Sequence, residues 1–227
     1  MPEELSPKGI KLTLKSEVLP FLMIITAIII SIVSYKLLPE QVVTHWNISG
    51  EPDGWSSRNF YTIFFPGILV FIYLLMNILP KIDPNKKRYA EFANVYLILR
   101  NILILTFLII YSAATLSNIG YDINIGGIVS ATIGILFIIL GNYLGKIKRN
   151  WFIGIRTPWT ISSENSWNKT HRLGGKLFII LGLITLLIPA FWPQAAFWFL
   201  ICGSFALIIT ITVYSYIIYK KDKSKLK

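Results

Sequence analysis

Six apolar stretches, each about as long as a bilayer is thick, decide what this chain can fold into. A helix needs roughly 20 mostly apolar residues to cross a hydrocarbon core of about 30 Å. Residues 18–38, 60–79, 95–116, 125–144, 173–192 and 195–219 each meet that requirement. The expected fold class is therefore all-α, a polytopic integral membrane protein with six transmembrane helices. Composition points the same way: 54% of residues are hydrophobic, only 15% are charged, and the mean hydropathy is +0.62. That is too apolar for an ordinary soluble domain. The first stretch is longer than the apolar core of a signal peptide, and no small-residue cleavage site follows it, so it reads as a span. Residues 193–194 leave almost nothing between the fifth and sixth spans, which form a tight helical hairpin.

Lys and Arg set the expected orientation, because cytoplasmic loops carry the excess of both. They fall at Lys8, Lys11 and Lys15 in the lead; at Lys81, Lys86, Lys87 and Arg88 after the second span; at Lys146, Lys148, Arg149, Arg156, Lys169 and Arg172 after the fourth; and at Lys220, Lys221, Lys223, Lys225 and Lys227 in the tail. The opposite side has Arg58 in its loops and Lys36 at a span end. Both termini are thus expected in the cytoplasm of a multi-pass plasma-membrane protein, with the 39–59 loop outside and the 145–173 loop inside. The domain reading is a cytoplasmic lead 1–17, a two-span region 18–94 with a structured outer loop, a four-span region 95–219, and a lysine-rich tail 220–227. A net charge of +11 raises nucleic acid as a partner. In so apolar a chain it assigns instead to membrane loops, with the tail against anionic lipid. Arg100 and Lys176, near the starts of the third and fifth spans, are expected to snorkel to the interface.

The inventory for chemistry is thin. None of the eleven acids falls inside a predicted span core, which argues against a coupled transporter; Asn77, Asn101 and Asn142 are the most polar candidates there. An uncoupled peptide or lipid transporter stays open. His45 and His171 are placed on opposite membrane faces, so they cannot share a zinc ion, and Cys202 lies in the sixth span with no second thiol. No metalloprotease helix, nucleophile elbow or phosphate loop is present, so no enzyme activity, cofactor or metal is expected. His45 with Glu51 and Asp53 could hold a metal, or could be the polar residues of a turn-rich loop.

Two loops hold the remaining information. In the outer one, Pro39 stops the first helix, Gly50, Pro52 and Asp53-Gly54 set turns, and Ser56 or Ser57 caps the second helix. His45, Trp46, Asn47, Glu51, Asp53 and Trp55 form either a tied interfacial connector or an outward docking surface anchored on the tryptophans. In the inner loop, Gly154 permits a close approach and Pro158 holds Thr157 extended before Trp159. A helix is expected from about Thr160, capped by Thr160 or Ser162, with Trp167, Thr170, His171 and Gly174 on one face. Gly174 and Gly175 allow a neighbouring helix close. Arg156, in an apolar segment, needs a partner; Glu164 is the nearest acid in sequence, and a helix end is the other option. A connector and a docking site both fit this pattern.

Taken together, Asn150, Gly154-Ile155-Arg156-Thr157-Pro158-Trp159-Thr160, Ser163, Trp167, Thr170-His171 and Gly174-Gly175 resemble the signature of the SdpI family of bacterial immunity proteins. The outer Leu38-Pro39, His45-Trp46-Asn47 and Gly50-Glu51-Pro52-Asp53-Gly54-Trp55 resemble the domain of unknown function often found before that signature. The two regions and their spans cover nearly the whole chain. The resemblance implies a plasma-membrane protein that protects a Gram-positive cell from a secreted SdpC-type peptide toxin. It also implies a second role, holding a small winged-helix repressor at the membrane; a signalling adaptor without immunity is the alternative.

Overall fold

The computed structural model describes residues 10–224, so Lys8, Lys225 and Lys227, with the rest of 1–9 and 225–227, lie outside the described residues. Its long helices are α1 (Leu14–Ser34), α2 (Arg58–Ile82), α3 (Ala93–Asn118), α4 (Ile125–Leu144), α6 (Glu164–Leu187) and α7 (Pro193–Ser224), with a one-turn helix α5 (Pro158–Ser162) before α6. Among the described residues, six helices are long and apolar enough to cross a membrane, and the chain is a polytopic all-α membrane protein. To this the structure adds an antiparallel hairpin, β1 (Gln41–Trp46) and β2 (Pro52–Ser57), between α1 and α2.

Polar side-chain caps set where α1, α2 and α4 start. Thr13 and Ser16 form a reciprocal capping box, so α1 begins four residues earlier than its apolar run suggests. Ser57 caps α2, one of the two serines expected to do so. Asn124 caps α4 by accepting from the Gly127 N–H at 2.9 Å.

The early start of α1 carries Glu17 into its first turn, and there it corrects the expectation for Arg100. Arg100 does not snorkel; it is fully buried. Its Nη1 donates to both Glu17 oxygens at 3.0 and 3.1 Å and to Asn77 Oδ1 at 3.0 Å, while Nη2 donates to the Ser16 carbonyl at 2.8 Å. The Tyr73 and Ser16 hydroxyls donate to Glu17, each at 2.8 Å. A charge that finds a carboxylate and neutral acceptors on three helices gains more by staying than by reaching for water. One of the acids thus lies inside the bundle, joining α1, α2 and α3. Lys176, by contrast, is exposed as expected.

Packing divides into two cores. Under the hairpin, Ala27, Leu38, Val42, Tyr61, Leu69, Ile104 and Tyr111 pack from α1, the α1–β1 connection, β1, α2 and α3. At the other end of the bundle, Tyr89, Phe92, Tyr96, Leu144, Ile147, Ile155, Trp167 and Ile211 pack together. A glycine seam joins α4 to α6. Gly141 and Gly134 of α4 meet Gly175 and Gly182 of α6 so closely that a Cβ on Gly175 would lie 2.6 Å from the Gly141 carbonyl oxygen, and one on Gly182 would lie 2.6 Å from that of Gly134. Small residues allow helix backbones to touch in lipid, where water supplies no force between helices. The close approach expected at Gly175 is thus found against α4.

Candidate functional site

The two sequence-predicted regions occupy opposite ends of the bundle. The hairpin end is built around a tight turn. Asn47 Oδ1 accepts from the Ser49 and Glu51 N–H groups at 2.9 and 3.0 Å, and Gly50 takes φ +81°. The strands pair Gln41 with Ser57, Val42 with Ser56 and Val43 with Trp55, then slip through irregularities to Trp46 with Pro52. Those slips break the alternation that would have marked strands in the sequence, so the loop reads there only as turns.

The hairpin gathers all six candidate docking residues. His45, Glu51, Asp53 and Trp55 are exposed, whereas Trp46 and Asn47 are half-buried. The tryptophans therefore differ: Trp55 is 56% exposed and presents its ring outward, and Trp46 is partly packed. His45 Nδ1 bonds the Asp53 carboxylate. Among the described residues no group of three or more His, Cys, Asp or Glu is placed to hold a metal ion.

What fixes the hairpin to the bundle escaped the sequence reading. The Asn118 side chain, at the end of α3, accepts from the Val43 N–H at 2.8 Å and donates to the Val43 carbonyl at 3.0 Å. It acts as one residue of a missing strand. Arg58 Nη1 donates to the Leu38 carbonyl at 3.1 Å and its guanidinium lies 4.8 Å from the centre of the Tyr35 ring. An Asn closing a long apolar helix was the available signal.

At the opposite end the signature folds as one unit on α6. Trp167 is fully buried, its Nε1 donating to the Ile147 carbonyl at 2.8 Å, and its ring stacks on His171 at 4.1 Å. The Ile155 N–H donates to His171 Nε2 at 3.0 Å, so that nitrogen must accept. His171 Nδ1 lies 2.8 Å from the Trp167 carbonyl, so it must donate. His171 is therefore held neutral as the Nδ1–H tautomer, with both ring nitrogens committed. Gly154, at φ +110°, passes directly over the imidazole where no side chain fits. Gly174 likewise makes room for the Ile155 side chain. Trp167, Thr170, His171 and Gly174 are all buried, as their spacing on one face required.

Asn150 organises the entry to this unit. It is 1% exposed; its Nδ2 donates to the Lys148 and Ile153 carbonyls, each at 2.9 Å, and its Oδ1 accepts from the Phe152 and Ile153 N–H groups at 2.8 and 2.7 Å. Buried beside it is Asp83, an acid the sequence reading passed over. Its Oδ2 accepts from the Tyr89 hydroxyl at 2.8 Å and from the Trp151 N–H at 2.9 Å. Asp83-Pro84-Asn85 after the second span was the signal, since Asp favours such turns by bonding the N–H two residues on; here it does so at 2.6 Å.

Two expectations fail locally. The helix does not start at Thr160 with Thr160 or Ser162 as cap. Thr157, extended before Pro158, caps α5 in a reciprocal box with Thr160, and Ser163 caps α6. Trp159 accordingly sits on α5, where its ring lies 5.1 Å from that of Tyr216 on α7. Nor does Arg156 pair with Glu164. Arg156 Nη1 donates to the Trp151 carbonyl at 2.6 Å, and Glu164 takes Arg88 at 2.5 Å. Glu164 opens α6 beside the α2–α3 connection, so an arginine distant in sequence is the nearer one. Arg156 and Trp151 stay exposed, as do Gly154, Pro158 and Glu164, while Asn150, Ile155, Thr160, Trp167, Thr170 and His171 are buried.

Residues 146–215 of the chain match the SdpI/YfhL protein family, and residues 22–70 match the domain of unknown function DUF1648. Over 208 residues the chain is 28% identical to the "Immunity protein SdpI" of Bacillus subtilis (strain 168), an alignment that covers 92% of this chain and 98% of that protein. No solved structure matches the chain. The buried signature falls in the first matched segment and the hairpin in the second. The chain is thus similar to the SdpI/YfhL protein family through residues 146–215 and to one immunity protein over nearly its whole length.

Proposed function

We propose that this protein is a non-enzymatic immunity protein of the plasma membrane that protects the cell against a secreted SdpC-type peptide toxin. The observation that carries this reading is the 28% identity running through 98% of a protein named an immunity protein, hairpin and signature included. The distribution of Lys and Arg supports an orientation with the hairpin outside and both termini and the signature in the cytoplasm. In that orientation the hairpin is the receptor side. Asn118 fixes it to α3, and His45, Glu51, Asp53 and Trp55 offer charge and an aromatic anchor to a peptide. The signature unit acts as the platform that holds α4, α6 and α7.

A second role, holding a small winged-helix repressor at the inner face, is favoured by one observation. Arg156 and Trp151 are exposed side by side on a unit whose other signature residues mostly face inward. The test is toxin sensitivity of a host that lacks its own immunity system, with and without this protein. Protection against an SdpC-type peptide but not against an unrelated pore-forming peptide is expected. Verified membrane insertion with no protection would overturn the immunity reading.

A further inference from the structure

The hairpin has one closed edge and one open edge. On the β1 edge, the Val43 N–H and C=O both bond the Asn118 amide and so point away from β2. In an antiparallel pair, a residue whose main-chain groups point outward stands opposite one whose groups point outward on the far side. Val43 stands opposite Trp55. The Trp55 N–H and C=O therefore point out of the β2 edge, and none of the described residues bonds them. Alternation gives Ser57, opposite Gln41, an outward N–H as well. The intervening phase is confirmed one step on, where the Arg58 N–H donates to the Glu40 carbonyl at 3.0 Å.

Open edges are ordinarily blunted by lysine, proline or a bulge. Here the irregularities, which end at Gly54, and Pro52 sit toward the turn, and the Trp55–Ser57 segment has no lysine, proline or register slip of its own. The charge is also distinctive. Residues 40–57 contain Glu40, Glu51 and Asp53 but no Lys or Arg, in a chain whose net charge is +11. All three acids are exposed. Trp55 adds a ring 56% open to contact beside the unpaired groups.

We propose that the outer edge of β2 is a docking strand for an extended cationic peptide. The peptide adds as a third strand, its main chain pairing with Trp55 and Ser57 while an apolar side chain lies on the Trp55 ring and its positive charges face Glu51 and Asp53. This rests on the reading of the protein as a peptide-binding immunity protein and specifies how the peptide is held.

The experiment uses the full chain in lipid nanodiscs and a synthetic SdpC-type peptide. Backbone amide exchange at Trp55 and Ser57 should slow on peptide addition, while the Val42 and Ser56 amides, already in the ladder, stay unchanged. Trp55→Pro removes an outward donor that the β1–β2 ladder does not use, so the hairpin should persist. It should weaken binding about tenfold more than Trp55→Ala, which removes the ring and keeps the N–H. Binding to the native chain without protection at Trp55 would overturn strand addition and leave the immunity reading standing. Equal affinities of the two variants would overturn it too; should Trp55→Pro lose the ladder, the exchange result on the native chain decides alone. Protection that appears without peptide and grows with protein concentration would assign the edge to a second copy of this chain and overturn the proposal. No binding to the native chain at all would remove both this proposal and the peptide-binding reading beneath it.

Discussion

Glu17→Ala tests the least expected feature of the bundle, the buried ion pair. The substitution removes the one carboxylate among the described residues that Arg100 bonds, and with it two hydrogen bonds to Nη1 at 3.0 and 3.1 Å. Asn77, Asn101 and the Ser16 carbonyl remain as neutral partners of a guanidinium that is fully buried. Removing one member of a buried pair leaves an uncompensated charge and costs about 3–5 kcal/mol. Glu17→Gln keeps one acceptor oxygen and should cost less, about 1.5–3 kcal/mol, the worth of a hydrogen bond to a charged group. The double variant Glu17→Leu with Arg100→Met fills the same space without charge and should fall within about 1 kcal/mol of the parent. The assay is unfolding of the purified chain in mild detergent by titration with sodium dodecyl sulfate, followed by tryptophan fluorescence. A cost below about 1 kcal/mol for Glu17→Ala, the range of an exposed pair, would refute the reasoning. It would mean that Arg100 reaches the interface after all.

Other outcomes follow from the packing. Gly175→Ala puts a methyl group 2.6 Å from the Gly141 carbonyl and should cost about 1–3 kcal/mol in the same titration. Gly145→Ala, whose new carbon would keep 3.6 Å from the Arg172 side chain, should stay near the parent. His171→Phe strands the buried Ile155 N–H, at about 1–3 kcal/mol, and should speed tryptic cleavage after Arg149 and Arg156. Asn118→Leu removes both partners of Val43, so the Val43 amide should exchange faster while the helices still insert. For orientation, Ser49→Cys in a Cys202→Ser background should react with an impermeant maleimide on intact cells, and Lys169→Cys only after permeabilisation; the reverse pattern would invert the proposed topology.

Most of the architecture could be read in advance because it depends on apolar length, which lipid enforces residue by residue. The spans, the close approach at Gly175 and the inward face of Trp167, Thr170, His171 and Gly174 all follow from local pattern. The misses share a different cause. Local sequence points Arg100 to the interface because its partner, Glu17, lies 83 positions away and enters the bundle through the Thr13–Ser16 cap. Nearness in sequence offers Arg156 Glu164 or a helix end, whereas Glu164 pairs with Arg88, 76 positions away, and Arg156 takes the Trp151 carbonyl. The hairpin was hidden because its irregular register erases the two-residue period, and because the Asn118 clamp on Val43 spans 75 positions. Short-range signals give helices and caps; the polar groups that lock helices together are chosen by folding.

The most direct check of the hairpin as the receptor side compares three chains in a host without its own immunity system, challenged with an SdpC-type peptide. They are the native protein, a hairpin variant carrying His45→Ala and Trp55→Ala, and Arg156→Ala at the opposite end, each at matched membrane levels. Protection by the native chain and by Arg156→Ala, with loss in the hairpin variant, is the expected result. Full protection by the hairpin variant would contradict it and move toxin recognition elsewhere on the molecule.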